Sequence, residues 1–344
     1  MIGLKPGNNN SVNTTNITIG MLAALVTTVI VFLAASRKAC GQDVIFSQFY
    51  ANPLYLNPAF AGSKQCDRLI FNYRNHPFPD FGTYSTYSFS ADTYLPAISG
   101  GVGMNLIHDS QAGLLSHTQA GLMYAWQGRL SREWNLSLGL QASYMNYRVN
   151  AADFVFPDQY NPSGTGNFIS GESPLELESS HNIDFATGFL VYSSTFYTGF
   201  AVHHVNTPTL DIFEDEKLNI KYTFMIGYDY VPGRFAASQS DRFSLSPNMI
   251  IQSQSGRLRF NYGLYTHLEM VSAGVWFRHS FDHANSLIFM LGLKQVNYTI
   301  SYSYDYSLSG FYSPQNGVHE IGVLLNFNCP APTGRYRILN CPTF

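Results

Sequence analysis

The chain has 344 residues, of which 12% are Asp, Glu, Lys or Arg and 15% are aromatic; ordinary soluble domains carry about 25% charged residues. Net charge is −3 and no basic stretch stands out, which excludes a nucleic-acid-binding footprint. A mean hydropathy of −0.05 with a single long apolar run excludes a helical membrane protein, which repeats runs of about 20 apolar residues.

That one run, IGMLAALVTTVIVFLAAS (19–36), lies behind an Asn/Thr-rich start. Small Ala39 and Gly41 then precede Gln42, so residues 1–41 read as an export signal cut before Gln42. An uncleaved anchor is the competing reading, because Arg37-Lys38 separates the run from the cut; Cys40 as a lipoprotein cysteine fits less well. Export places the protein where disulfides persist. Cys66, Cys329 and Cys341 remain after cleavage, an odd number, and one bridge among the three is expected, with Cys66 favoured as a member and its partner open.

Residues 42–65 hold two Asn-Pro pairs, Asn52-Pro53 and Asn57-Pro58, followed by Ala59 and Gly62. Each proline fixes its own φ and disfavours helix at the preceding Asn. Two readings stand for this rigid, non-helical segment: a plug or barrel-base element, and a periplasmic surface on which a partner docks.

From residue 67 the chain alternates apolar and polar residues in runs separated by turns, as in NLSLGLQASY (135–144) and ISYSYDYSLS (300–309). About fourteen such runs are near the ~9–11 residues that a tilted membrane strand needs. Their polar faces carry Ser and Gly instead of the Lys and Glu that coat a sheet in water. The expected fold is all-β: a transmembrane antiparallel barrel over 66–328, with a cysteine-containing periplasmic tail at 329–344. With both ends in the periplasm, the longest loops, 148–182 and 205–219, fall outside, and short turns such as 131–133, 193–195 and 295–297 fall inside.

Period two places Ile300, Tyr302, Tyr304, Tyr306 and Leu308 toward lipid and Ser301, Ser303, Asp305 and Ser307 toward the lumen. A lysine at Tyr304, taken as near mid-bilayer, is then costly, while one at Ser303 is tolerated in a wet lumen. Arg68, Arg74, Asp92 and Asp305 face inward, which implies a lumenal salt-bridge network or a wet pore. Adjacent His203 and His204 on one strand point to opposite faces, so they do not share a metal; no zinc spacing and no G-x-S-x-G elbow is present. No catalytic, cofactor-binding or metal residues are expected. The acidic stretch DIFEDEK (211–217) reads as a solvated outer loop, with adhesin or cation contact as the alternative.

The opening of the mature chain, QDVIFSQFYANPLYLNPAFAGS (42–63), resembles the PorP/SprF family of type IX secretion system membrane proteins, whose pattern runs F-S-Q then N-P-L-Y-x-N-P-A-x-A-G. LIFNYRNH, DFVFPDQ, GFAVHHVNTP, GVWFR, YSYDYSLSG, HEIGV and the final CPTF continue the likeness in order, with His76 at a place the family gives to an aromatic. The resemblance implies an outer-membrane barrel of a Bacteroidota-type bacterium that serves protein secretion and gliding motility. It implies type IX secretion components and exported cell-surface adhesins, or their C-terminal domains, as partners, beside outer-membrane lipid. A channel for small or hydrophobic solutes is the runner-up.

Overall fold

The computed structural model describes residues 43–78, 82–150, 179–210, 212, 216–232, 243–281, 285–308 and 317–329. Residues 1–41, expected to be a signal, and most of the tail, including Cys341, lie outside the described residues.

Six long strands come first: β1 (Asp67–Phe78), β2 (Gly82–Leu95), β3 (Gly100–Gln111), β4 (Leu115–Arg129), β5 (Asn135–Val149) and β6 (Ser179–Tyr192). β7 (Phe196–His203) and β10 (Lys221–Tyr228) flank a small hairpin of β8 (Thr209–Leu210) and β9 (Glu216–Lys217). β11 (Phe243–Gln254), β12 (Arg257–Leu268), β13 (Val271–Ser280), β14 (Ser286–Lys294), β15 (Tyr298–Ser307) and β16 (Val318–Phe327) follow. All but β8 and β9 form one closed antiparallel barrel of fourteen strands, with β1 hydrogen-bonded to both β2 and β16. Closure leaves no unpaired edge, the condition for β-structure to cross a bilayer. No helix among the described residues is long and apolar enough to do so.

An even strand number returns the chain to the end where it began. Cys66, just before β1, and Cys329, just after β16, meet there in a disulfide with Cα atoms 4.4 Å apart. The strand ends that flank the longest connections, Val149 and Ser179, and His203 and Lys221, lie at the opposite end. By the usual asymmetry of such barrels the disulfide end is periplasmic and the other extracellular.

Alternation puts Leu122, Leu140, Ile183 and Leu291 outside, each at least 60% exposed to the protein's surroundings. Ser301, Ser303 and Asp305 are buried and Ile300 and Tyr302 exposed, as the spacing predicts. Three details differ. Tyr304 lies in the upper part of β15, opposite His319, instead of at mid-bilayer. Ser303 is fully buried, because the lumen is filled with protein. The inner face is also not uniformly polar: Met225, Ile250, Tyr265, Trp276, Ile288 and Met290 all point inward from β10–β14.

Candidate functional site

The filling is the segment from Asp43 to Cys66. It is not the non-helical run expected from the Asn-Pro pairs but contains a 3-10 turn (Phe49–Ala51), one turn of α-helix (Pro53–Leu56) and a second 3-10 turn (Pro58–Phe60), because each proline starts a turn while only the Asn before it stays non-helical. Pro53 and Pro58 each occupy the first position of a turn, where the missing N–H costs nothing. Asn57 caps the last turn through its side-chain oxygen, which accepts from Ala59 N–H at 2.9 Å.

One side of this segment is apolar and meets the apolar wall. The ring of Phe49 lies 5.0 Å from Trp276, and that of Tyr50 lies 5.9 Å from Tyr197 and 6.1 Å from Tyr265. Leu54, Leu56 and Phe60 complete the core. Each such side chain contributes about 1.5–3 kcal/mol on burial, so apolar packing supplies most of the adhesion. Strand backbone approaches closely at the base: Gly62 has φ +67, and a Cβ on it would lie 2.6 Å from the Cα of Gly101.

The polar wall has a different task. A short irregular segment cannot pair its own backbone groups, and each one left unpaired in a dry interior is costly. Wall side chains supply the partners. Ser137 donates to the carbonyl of Ala59 at 2.7 Å, Gln127 to Ala61 at 3.0 Å and Asn72 to Ala51 at 3.2 Å. Gly62 N–H donates to Asp92 at 2.7 Å. From the segment itself, Asn52 donates to Ser88 at 2.9 Å and Asn57 to the carbonyls of Phe189 and Phe200. The inward Ser, Asn and Gln residues thus satisfy the inserted chain.

Three clusters of charge fix its register. At the base, Arg68 holds Asp92 with two bonds of 2.7 and 2.9 Å and donates to the Phe60 carbonyl. Higher up, Glu320 accepts from the backbone N–H groups of Ser47 and Gln48 and from Arg74, while Arg278 contacts Asp305 at 2.6 Å. Ser47 Oγ ties the two halves together, within 3.0 Å of Asp305 and 2.8 Å of Arg74.

The third cluster is at the extracellular end. Asp43 lies 2.9 Å from His204 and 3.0 Å from Lys221; His204 also meets Asp184 at 3.1 Å. Lys221 donates to Tyr55 OH, which in turn donates to the Val44 carbonyl. Burial opposes a charge on His204, but Asp43 and Asp184 outweigh it and hold its pKa at about 9. Burial would raise the pKa of Asp43, yet His204 and Lys221 keep it well below the ordinary carboxylate value.

Arg68, Arg74, Asp92 and Asp305 therefore all face inward within ion-paired clusters. Glu320 and Arg278, the partners of Arg74 and Asp305, and Asp43, Asp184 and Lys221 of the third cluster were not singled out by spacing. His203 and His204 do not point to opposite faces: a positive φ of 58 at His204, just past the strand end, turns it inward beside His203, and both are buried. Asn52, Pro53, Asn57, Pro58, Ala59 and Gly62 are all buried inside the barrel, so these side chains present no surface to a partner. Among the described residues no three His, Cys, Asp or Glu stand together as a metal site.

A closed fourteen-stranded barrel, apolar outside and plugged by its own N-terminal segment, defines a β-barrel protein of the outer membrane. The family model described as type IX secretion system membrane protein PorP/SprF matches residues 39–325, and the chain belongs to that family. Membership implies association with type IX secretion components. No curated protein matches the sequence. Among solved structures, the toluene transporter TbuX of Ralstonia pickettii is 11% identical, with 84% of this chain and 96% of that one covered, at a TM-score of 0.49. The monoaromatic hydrocarbon channel CymD is 9% identical over 83% and 95%, TM-score 0.46. Omp33 of Acinetobacter baumannii is 8% identical over 77% and 100%, TM-score 0.41.

Proposed function

We propose that this protein is a non-enzymatic docking component of the type IX secretion and gliding machinery, which holds exported proteins such as adhesins, or their C-terminal domains, at the outer membrane. The observation that carries this reading is the lumen. Its apolar half is packed with aromatic side chains of residues 49–60 and its polar half is bonded to their backbone, which leaves the barrel to act as a rigid stand for its rims. A solute channel needs a path past Tyr50, Trp276 and Tyr265, all fully buried, and the same packing speaks against it. With the Asn-Pro motif inside, docking falls to the extracellular connections 150–178 and 204–220 and to the periplasmic turns.

The test is crosslinking in native membranes followed by capture of the full-length protein and identification of what comes with it. Recovery of secretion components together with an exported surface protein is expected. Recovery of neither overturns the reading.

A further inference from the structure

The outward face is not alike around the barrel. Strand register aligns Tyr73, Tyr87, His108, Thr118, Asn146 and His181 in one continuous row across β1–β6. All six project outward, and Tyr87, His108, Thr118 and His181 are exposed. The next outward row toward the extracellular end is again polar and includes Asn75, Ser116, Arg148 and Ser179. The outward row just below is apolar: Phe71, Phe89, Leu106, Ala120, then Tyr144 and Ile183. The lipid-facing belt on this wall thus ends sharply, several residues short of the strand ends. On the opposite wall most outward residues stay apolar toward the extracellular ends, at Ile251, Leu258, Phe260 and Leu287, with polar Ser253 and His279 among them.

Neither polar row contains a carboxylate. The groups are neutral donors and acceptors (imidazole, amide, hydroxyl and phenol) with one cation, Arg148, which forms no ion pair among the described residues. Several are already oriented: His108 bonds Thr118 at 2.9 Å, and His181 bonds Asn146 at 2.9 Å. Tyrosine faces and such groups suit sugar rings and hydroxyls, and a guanidinium suits phosphate.

Height selects the kind of lipid. Two outward rows cover about four residues, or ~14 Å along a strand and roughly 10 Å along the membrane normal at a tilt near 40°. The headgroup zone of an ordinary phospholipid bilayer is only about 5–8 Å per side. A strip this tall, continuous with the lipid-facing belt and running across β1–β6, with His319 and Tyr304 adjoining it on β16 and β15, fits a headgroup made of several sugars. We infer that the outward face of β1–β6 above the apolar belt binds a phosphorylated glycolipid of the outer leaflet, with Arg148 at a phosphate and the His-Tyr-Asn row at the sugars.

The full-length protein, delipidated in detergent, is probed with phosphorylated lipopolysaccharide, with the same glycolipid enzymatically dephosphorylated, and with phosphatidylglycerol micelles. Retained lipid is read by native mass spectrometry. The wild type should retain the phosphorylated glycolipid and bind the dephosphorylated form at least about fivefold less tightly, the loss of one basic contact. R148A, an exposed change, should show the same loss and H108A/H181A a further one, with heat-modifiable mobility on gels unchanged. Equal retention of both glycolipid forms, equal binding of phosphatidylglycerol, or no retained glycolipid overturns the inference, and none of these arms requires a variant to fold.

Discussion

The backbone N–H of Ser47 donates to the carboxylate of Glu320 at 2.7 Å, so a strand at the barrel's closing seam grips the main chain of the inserted segment. Glu320 also accepts from Gln48 N–H and pairs with Arg74. Its removal leaves two N–H donors and a part-buried guanidinium without this acceptor. E320A should loosen the segment by about 3–5 kcal/mol, the usual cost of breaking a buried pair from one side, and E320Q by less. Limited proteolysis within 43–60 of the otherwise folded barrel reads both.

The extracellular latch is pH-dependent with a defined sign. The pKa of His204 is raised from 6.5 to about 9, so its contribution is complete below 6.5 and is lost as pH rises through about 9. Asp43 is depressed, so its contribution is present above its ordinary value of 3.8 and is lost as pH falls well below that. Hydrogen-exchange protection factors of residues 43–48, which correct for the intrinsic rise of exchange with pH, should be highest between these limits and fall above pH 9. In H204A the alkaline loss of protection should vanish, because protection is already low at neutral pH.

The two faces of β15 should respond to lysine for different reasons. At Ile300, outward in the apolar belt, lysine meets hydrocarbon and costs about 2–4 kcal/mol. At Ser303, fully buried against the filling, lysine is an unpaired charge in a closed interior and should cost at least as much. At Tyr304, near the extracellular end and beside His319, it should cost about 0–1 kcal/mol. Reversible unfolding in lipid vesicles measures all three.

The disulfide closes a loop of 263 residues in sequence at the point where the segment leaves the lumen for β1. C66S/C329S should lower stability by about 2–5 kcal/mol without opening the barrel, since β1 and β16 remain paired along nine residue positions. Reduction of the wild type should reproduce the effect in a denaturant titration.

The barrel was legible because lipid enforces alternation: NLSLGLQASY can form only one kind of strand. The inward placement of Arg68, Arg74, Asp92 and Asp305 followed from the same period. Their pairing did not. Arg68–Asp92 joins neighbouring strands, but Arg74–Glu320 spans 246 positions and exists only because the barrel closes. The apolar half of the lumen was hidden for another reason. In FMLGL and VWFR the inward Met290 and Trp276 stand between outward apolar residues, so both faces look dry and the alternation disappears. His204 was misplaced because a left-handed residue past a strand end breaks the period that placed it.

The central claim, a barrel closed by its own N-terminal segment, is tested most directly by single-channel recording of the purified full-length protein in planar bilayers. The expected result is no steady conductance in the wild type, with openings appearing when E320A or an alkaline pH loosens the segment. A large, steady open channel in the wild type at neutral pH would contradict it.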